Sequence, residues 1–162
     1  MKYNRIIKCI ILCLIQLLLL NLCACRNHEI NFRIFANIEE CQKINSFKSE
    51  YADVEIYDSP ARDKHLNNLE FLEWFGCKYT SEDCTFEIFA YEFLDSGIAM
   101  AYFKNVTGKE HNPNPTFSQS TGLRFYESIV VSGNRAYSIY GNKYDKANII
   151  EFLNNWFSET IN

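Results

Sequence analysis

The chain has 162 residues, of which 48% are hydrophobic, 15% aromatic and 22% charged. This balance is typical of a globular protein and excludes a collagen-like, a largely disordered or a multi-span membrane chain. The first 25 residues hold three of the 16 basic side chains and no acid, which leaves a net charge of −7 on the other 137 and argues against nucleic acid as a partner.

The N-terminal segment has the pattern of an export signal. Lys2, Arg5 and Lys8 precede an apolar run of 12 residues, Cys9 to Leu20, which only Gln16 interrupts. A run of this length matches the about 7 to 15 residues of a signal-peptide core and falls short of the ~20 that a membrane-spanning helix needs. We therefore predict a signal peptide over residues 1–24.

The apolar run is followed by Leu22-Cys23-Ala24-Cys25, which resembles the lipobox of bacterial lipoproteins. The resemblance covers this segment alone. It implies that signal peptidase II cuts before Cys25, that the Cys25 thiol carries a diacylglyceryl group and that the new amino terminus is acylated. It also implies a lipid-anchored protein on the extracytoplasmic side of the inner or outer bacterial membrane, because two or more acyl chains hold a protein firmly on a bilayer.

Two other fates of this segment stay open. Residues 6–25 would form a short transmembrane anchor if they were not cleaved. A cut after Ala24 by the general signal peptidase would release a secreted protein, which Leu22 disfavours because that enzyme requires a small residue three places before the cut. Residues 25–31 are predicted to be the lipidated cysteine and a short tether, with a reach of about 20 Å. Residues 32–162 are predicted to form a single domain.

The first part of the domain predicts two helices and a strand. Apolar residues recur at three-to-four-residue spacing across 34–47, as in an amphipathic helix, and 54–57 alternate as in a strand. Ser59-Pro60 is typical of a helix start and Gly76 of the residue just beyond a helix end, so residues 60–75 are predicted to be helical.

The middle of the domain predicts a hairpin and a capped helix. Residues 77–80 and 84–94 are strand-like on either side of a turn. In the second run both the odd-numbered and the even-numbered side chains are apolar, which is typical of a central strand with two buried faces. Asp95 or Ser96 is a candidate N-cap, and Gly108 a candidate end, for a helix over 96–107.

The last part predicts a loop, a second hairpin and a final helix. Residues 109–121 have no periodicity and form the longest predicted loop. Strands over 123–131 and 136–140 are joined at Gly133-Asn134, and a helix is predicted over 145–159. These elements predict an α+β fold, a two-layer sandwich of a mostly antiparallel sheet with helices packed on one face. A ferredoxin-like or related split topology is the first candidate.

The cysteines and the absence of known catalytic motifs indicate which chemistry the domain can perform. Cys77 and Cys84 flank a predicted hairpin turn, so a disulfide between them is the first candidate outside the cytoplasm; a bridge to Cys41, or none, are the alternatives. The sequence contains no metal-ligand spacing, serine-hydrolase elbow, phosphate-binding loop or nucleotide fingerprint. It therefore predicts no catalytic residue, no metal site and no cofactor.

Two features are candidates for partner binding. The 109–121 loop presents His111 and Phe117, and Tyr126, Tyr137 and Tyr140 cluster in the second hairpin, where tyrosine is favoured at interfaces. We expect a non-enzymatic lipoprotein that is held on the lipid bilayer through acylated Cys25 and binds a protein or a glycan of the cell envelope. The alternatives are a cell-envelope hydrolase with a spatially assembled site and an immunity or inhibitor lipoprotein. The sequence does not indicate an oligomeric state.

Overall fold

The computed structural model describes residues 38–42, 44, 52–110 and 116–159. Along these residues two runs of three strands are separated and flanked by helices. In chain order the elements are α1 (Ile38–Cys41), β1 (Ala52–Ile56), β2 (Phe71–Ser81), β3 (Thr85–Phe93), α2 (Ser96–Thr107), β4 (Thr116–Thr121), β5 (Phe125–Ser132), β6 (Arg135–Asn142) and α3 (Lys146–Glu159), with 3-10 turns at Pro60–Arg62 and Lys143–Asp145.

The strands form one antiparallel sheet in the order β1-β2-β3-β6-β5-β4. Two three-stranded meanders, β1 to β3 and β4 to β6, are connected by α2 and meet where β3 pairs with β6, with Ala90 opposite Tyr137. The α+β class with an antiparallel sheet and helices is therefore confirmed. The ferredoxin-like topology is not confirmed, because each half of the chain forms its own meander and the strands of the two halves do not interleave.

Helices cover both faces of this sheet. On β5, Ile129 packs against α2 whereas its neighbour Val130 packs in the cluster that contains α3. The α3 face also holds the buried residues of α1, including Cys41. The prediction of two layers with helices on one face is therefore wrong. The physical reason lies in β3, β5 and β6, where both the odd-numbered and the even-numbered side chains are buried. The sheet therefore has two apolar faces, and each must be shielded from water by a helix.

The local signals around α2 and the second hairpin are confirmed. The Asp95 side chain accepts a hydrogen bond from the backbone N–H of Ile98 at 2.9 Å, and Gly108 ends the helix with a φ of 67°. Gly133 has a φ of 59° in the two-residue turn between β5 and β6. These positions are decided by contacts within a few residues, which is why the sequence predicts them.

The predicted helix over 60–75 is wrong. Ser59 caps only a single 3-10 turn, and Asn67 and Asn68 then take positive φ angles of 53° and 99°, which interrupt any helix. From Phe71 the chain is β2, where aromatic side chains pack across the strands against β3. Gly76 lies inside this strand, and a Cβ there would approach Trp74 Cζ3 to 3.0 Å.

The predicted loop over 109–121 contains an edge strand. Thr116–Thr121 is β4, which pairs with β5 so that Thr116 lies opposite Val131. Most of its side chains are polar and only Thr116 is buried. An edge strand has one neighbour and a solvent-facing side, so it does not require the apolar alternation that would have revealed it.

Candidate functional site

An open groove lies on the α2 face of the sheet, beyond the part of that face that α2 covers. It has a volume of about 700 Å³. The starts of β3 and β5, the end of β6 and the following 3-10 turn form it; the lining residues are Thr85, Phe86, Glu87, Arg124, Phe125, Tyr140, Gly141, Asn142, Tyr144 and Asp145. We call this feature the Tyr140 groove. Its volume falls within the roughly 300–1,000 Å³ of small-ligand sites.

Strand register brings the groove residues together. Glu87 on β3 lies opposite Tyr140 on β6, and Asn142 lies opposite Phe125 on β5. Side chains two residues apart on a strand point to the same face, so Tyr140 and Asn142 project together from β6. Three segments that are distant in sequence therefore contribute to one surface.

Exposed aromatic rings line part of this surface. The rings of Phe125 and Tyr140 are stacked, with centroids 5.0 Å apart and planes 25° from parallel. Phe125 is 50% exposed and Tyr144 is 80% exposed. Large aromatic side chains at these exposures, grouped around a concavity, are typical of a recognition site because they keep apolar area available for a partner.

Charged side chains of both signs surround the aromatic rings. Glu87 and Asp145 supply carboxylates and Arg124 supplies a guanidinium. The Nζ atom of Lys64 lies 4.5 Å from the centroid of the Tyr140 ring, in cation–π geometry. The Nζ atom of Lys143 lies 5.3 Å from the centroid of the Tyr144 ring, so two carboxylates and three cations border the groove.

The buried carboxylate of Asp63 anchors the connection between β1 and β2, the segment that carries Lys64. Asp63 is 5% exposed, and its Oδ2 accepts a hydrogen bond from the Tyr102 hydroxyl at 2.6 Å. The Ser138 hydroxyl lies 2.6 Å from the Tyr102 oxygen and donates to it, because the Tyr102 proton is already directed at Asp63. Burial, and then the Asp63 carboxylate, raise the pKa of Tyr102 and of the neighbouring Tyr91, so both phenols stay protonated.

His65 makes the second attachment of the same segment. Its Nε2 lies 3.1 Å from Glu127 Oε1, and its Nδ1 lies 3.2 Å from the backbone oxygen of Asn105. The hydrogen bond to Glu127 outweighs the opposing effect of burial and raises the pKa of His65 above its ordinary value of 6.5. The segment before β2 is thereby fastened both to α2 and to β5.

The five candidate partner-binding residues do not form one surface. Tyr126 and Tyr137 are 0% and 1% exposed and belong to the core on the α3 face, so their prediction as surface residues is wrong. Tyr140 lies in the groove. Phe117 is 40% exposed on β4 opposite Val130, which places it on the α3 face, and His111 lies outside the described residues.

The alternation of side chains along a strand is the sequence signal that assigns these tyrosines to different faces of the sheet. Tyr137 shares a face with Ile139, whereas Tyr140 is three residues from Tyr137 and points to the other side. Glu87, Arg124, Phe125 and Asn142 were missed, because only the pairing of β3, β6 and β5 places them beside Tyr140. A sequence pattern shows which residues of one strand share a face, but it does not show which strands are neighbours in the sheet.

Cys41, Cys77 and Cys84 are buried, and Cys77 and Cys84 are free thiols. Cys77 lies on β2 opposite Ile88, four residues further from the hairpin turn than Cys84. At about 3.4 Å per residue this offset is roughly 13 Å, twice the Cα separation of a disulfide. The predicted Cys77–Cys84 bridge is therefore not present. The strands run up to Ser81 and Thr85, so Cys84 falls within the tight turn.

Burial also makes these thiols poor nucleophiles. It raises the pKa of Cys77 to about 12 and raises the pKa of Cys84 as well. The thiolate is the reactive form of cysteine, so a raised pKa and a closed environment both lower reactivity. We interpret Cys77 and Cys84 as packing residues.

No known protein family matches the chain, and no curated protein shows a significant similarity to it. The described part of the chain holds no group of three or more His, Cys, Asp or Glu side chains arranged to bind a metal ion. Over the same residues, no helix combines the length and the hydropathy of a membrane span.

Proposed function

We propose that this chain is a membrane-anchored bacterial lipoprotein whose α+β domain binds a protein or glycan of the cell envelope in the Tyr140 groove, without converting it chemically. The observation that carries the binding proposal is the open groove itself, where the exposed rings of Phe125 and Tyr144 stand beside charged side chains. The Leu22-Cys23-Ala24-Cys25 sequence supports the anchor.

The surroundings of the cysteines and of His65 in the described part of the chain favour a binding function over catalysis. Cys41, Cys77 and Cys84 are buried, and the raised pKa of Cys77 and Cys84 disfavours the thiolate that covalent catalysis requires. His65 is held between Glu127 and the backbone of Asn105, where it attaches one segment to the sheet. A groove that recognises a partner with aromatic and polar groups requires no such nucleophile.

The charge of the domain fits a covalent anchor. Residues 26–162 carry the net charge of −7, so anionic lipid repels the domain and does not hold it at the surface. Acyl chains on Cys25 overcome this repulsion because each buried methylene contributes about 0.8 kcal/mol. The lipid then keeps the groove within reach of components near the bilayer.

The anchor is tested by intact-mass analysis of the full chain expressed in a bacterium. We expect a membrane-bound product that begins at Cys25 and carries the mass of the lipid. Cys25→Ser should retain residues 1–24 and lose the lipid, whereas the control Cys23→Ser should be processed normally. A wild-type product with the leader still attached, or with Cys25 unmodified, would contradict the proposed anchor.

The groove is tested by binding of the full-length protein to isolated cell-wall and membrane fractions. We expect Tyr144→Ala to weaken retention on one of these fractions, because its ring is the most exposed aromatic of the groove. The matched control is Phe117→Ala, an exposed aromatic on the opposite face. Equal retention of the two variants and the wild type would show that the partner binds elsewhere, and release of cleaved material by the wild type would show an enzyme.

A further inference from the structure

We infer that His65 is a pH-dependent switch, which fastens the connection between β1 and β2 when both ring nitrogens are protonated and loosens it when one proton is lost. Its Nε2 lies 3.1 Å from Glu127 Oε1 on β5, and its Nδ1 lies 3.2 Å from the backbone oxygen of Asn105 on α2. Both oxygens are acceptors, so each nitrogen must carry a proton to make a favourable contact. A neutral imidazole has one N–H, and the geometry therefore fits the doubly protonated ring.

The charged groups around His65 support the protonated ring. The hydrogen bond to Glu127 raises the pKa of His65 and outweighs the opposing effect of burial. On the connection itself, the Asp63 carboxylate raises the same pKa and the Lys64 ammonium lowers it. From the α2 side the ring faces an uncharged backbone oxygen, and Lys109, just beyond that helix, borders the same small pocket as Glu127.

Loss of one proton turns one of the two contacts into a repulsion. The nitrogen without a proton directs its lone pair at an oxygen 3.1 or 3.2 Å away, so the ring must turn or leave. The hydrogen bond from Tyr102 to Asp63 is not affected, because burial raises the pKa of Tyr102 and keeps its proton in place. The connection is then still held at Asp63 and loosened from His65 onward.

The backbone that follows His65 is placed to relax when this attachment weakens. Asn67 and Asn68 have positive φ angles of 53° and 99°, in the region that favours glycine. A non-glycine residue keeps such a conformation where the surrounding contacts hold it there. His65 lies two residues before Asn67, so its contacts with α2 and β5 belong to the contacts that hold this stretch.

Lys64 connects the switch to the Tyr140 groove. It lies between Asp63, whose attachment persists, and His65, whose attachment depends on pH. Its Nζ atom lies 4.5 Å from the centroid of the Tyr140 ring. Loosening at His65 lets the ammonium leave this ring, which removes a cation from the border of the groove. The switch goes beyond the proposed function, because it belongs to the fold whatever the groove binds.

The protonation state is tested by NMR of the full-length protein in detergent micelles, with ¹⁵N-labelled histidine, between about pH 5 and pH 9. We expect the His65 signals, assigned by their absence in His65→Gln, to show protons on both ring nitrogens at the acidic end and to titrate with a midpoint above the ordinary 6.5. Glu127→Gln should lower this midpoint. His111→Gln is the matched control, in which the His65 midpoint should not change.

The movement of Lys64 is followed in the same samples after ¹³C-methylation of the lysines, which keeps their charge. The Lys64 methyl signal, assigned by Lys64→Arg, should be shifted by the Tyr140 ring at the acidic end. It should approach the position of an exposed lysine as pH rises through the His65 midpoint. In Glu127→Gln this change should occur at lower pH.

Opening of the connection is measured by hydrogen–deuterium exchange of peptides that cover residues 64–70, corrected for the intrinsic pH dependence of exchange. Exchange should accelerate about two- to fivefold as pH rises through the midpoint, which corresponds to a half-buried ion pair. It should be faster than exchange of β3 and insensitive to low urea, because a local opening exposes little surface. The acceleration should be absent in His65→Gln and retained in His111→Gln.

Three results would overturn the switch. The first is a His65 midpoint at or below 6.5, and the second is an acceleration that persists unchanged in both His65→Gln and Glu127→Gln. The third is exchange of residues 64–70 at the rate and urea dependence of β3, which would show that the connection opens with the whole domain. If Tyr144→Ala binds envelope fractions as the wild type does while His65 titrates as expected, the proposed binding site fails and the switch stands.

Discussion

The Tyr102 hydroxyl donates a hydrogen bond to Asp63 Oδ2 at 2.6 Å, inside the α2 face of the core. Tyr102 is on α2, whereas Asp63 belongs to the connection between β1 and β2, 39 residues away. The bond joins the helix that covers the sheet to the segment that carries Lys64 to the groove. Stability of the core and presentation of a groove residue are thus linked through one carboxylate.

Tyr102→Phe should lower the free energy of unfolding by about 1–3 kcal/mol, because it leaves the buried Asp63 carboxylate with one hydrogen bond fewer. Urea unfolding followed by circular dichroism measures the change. Tyr144→Phe removes the same hydroxyl from a ring that is 80% exposed and should change the stability little. Similar losses in the two variants would contradict the role of the Tyr102 bond.

His65→Gln should remove a stabilisation that depends on pH. The folded pKa of His65 lies above its ordinary value of 6.5, chiefly because of the hydrogen bond to Glu127. A raised pKa favours folding where the unfolded histidine is protonated, so the contribution is complete below that value and disappears as pH rises through the folded pKa. At this half-buried site the pair is worth about 1 kcal/mol or less.

Urea unfolding of the wild type and His65→Gln between about pH 5 and pH 9 measures this effect. The difference in unfolding free energy should be largest at the acidic end and should shrink as pH rises. Glu127→Gln, which removes the partner, should reduce the same acid-side stabilisation. A difference that is constant with pH would show that the pair does not titrate as its geometry indicates.

Cys77 and Cys84 should both be recovered as free thiols from protein that is unfolded without reductant. Trypsin cuts after Lys78 and so places Cys77 and Cys84 in different peptides, covering residues 65–78 and 79–104. Alkylation in denaturant should modify both peptides, whereas alkylation of the folded protein should leave Cys77 unmodified because it is fully buried with a raised pKa. A disulfide-linked pair of these peptides would contradict the structure.

Gly141→Ala should destabilise the protein by about 1–3 kcal/mol through overpacking. A Cβ at this position would lie 2.6 Å from Ile149 Cδ1 and 3.1 Å from the backbone oxygen of Thr85. Gly122→Ala is the control, because its nearest contact is an ordinary 3.7 Å from the backbone oxygen of Phe125. Ile149→Val removes the clashing methyl, so the double variant should recover part of the loss in thermal unfolding measurements.

Local signals predicted several elements because their causes lie within a few residues. The Asp95 cap and Gly108 define α2, and Gly133 allows the tight turn between β5 and β6. The apolar side chains of both parities in β3 correctly indicated a central strand, which β2 and β6 flank. The helix predicted over 60–75 was wrong because spacing alone does not distinguish a helix stripe from an aromatic strand that gains its stability across the sheet.

By itself, the sequence determined the capped helix, the second hairpin, the final helix and the acidic character of the domain, because each depends on neighbouring residues or on composition. Only the tertiary structure decided that helices cover both faces, that Cys77 and Cys84 lie apart, and that Tyr140 faces a groove whereas Tyr137 is core. Those outcomes depend on which strands pair and in which register. Pairing joins residues far apart in the chain, and the local pattern carries no record of it.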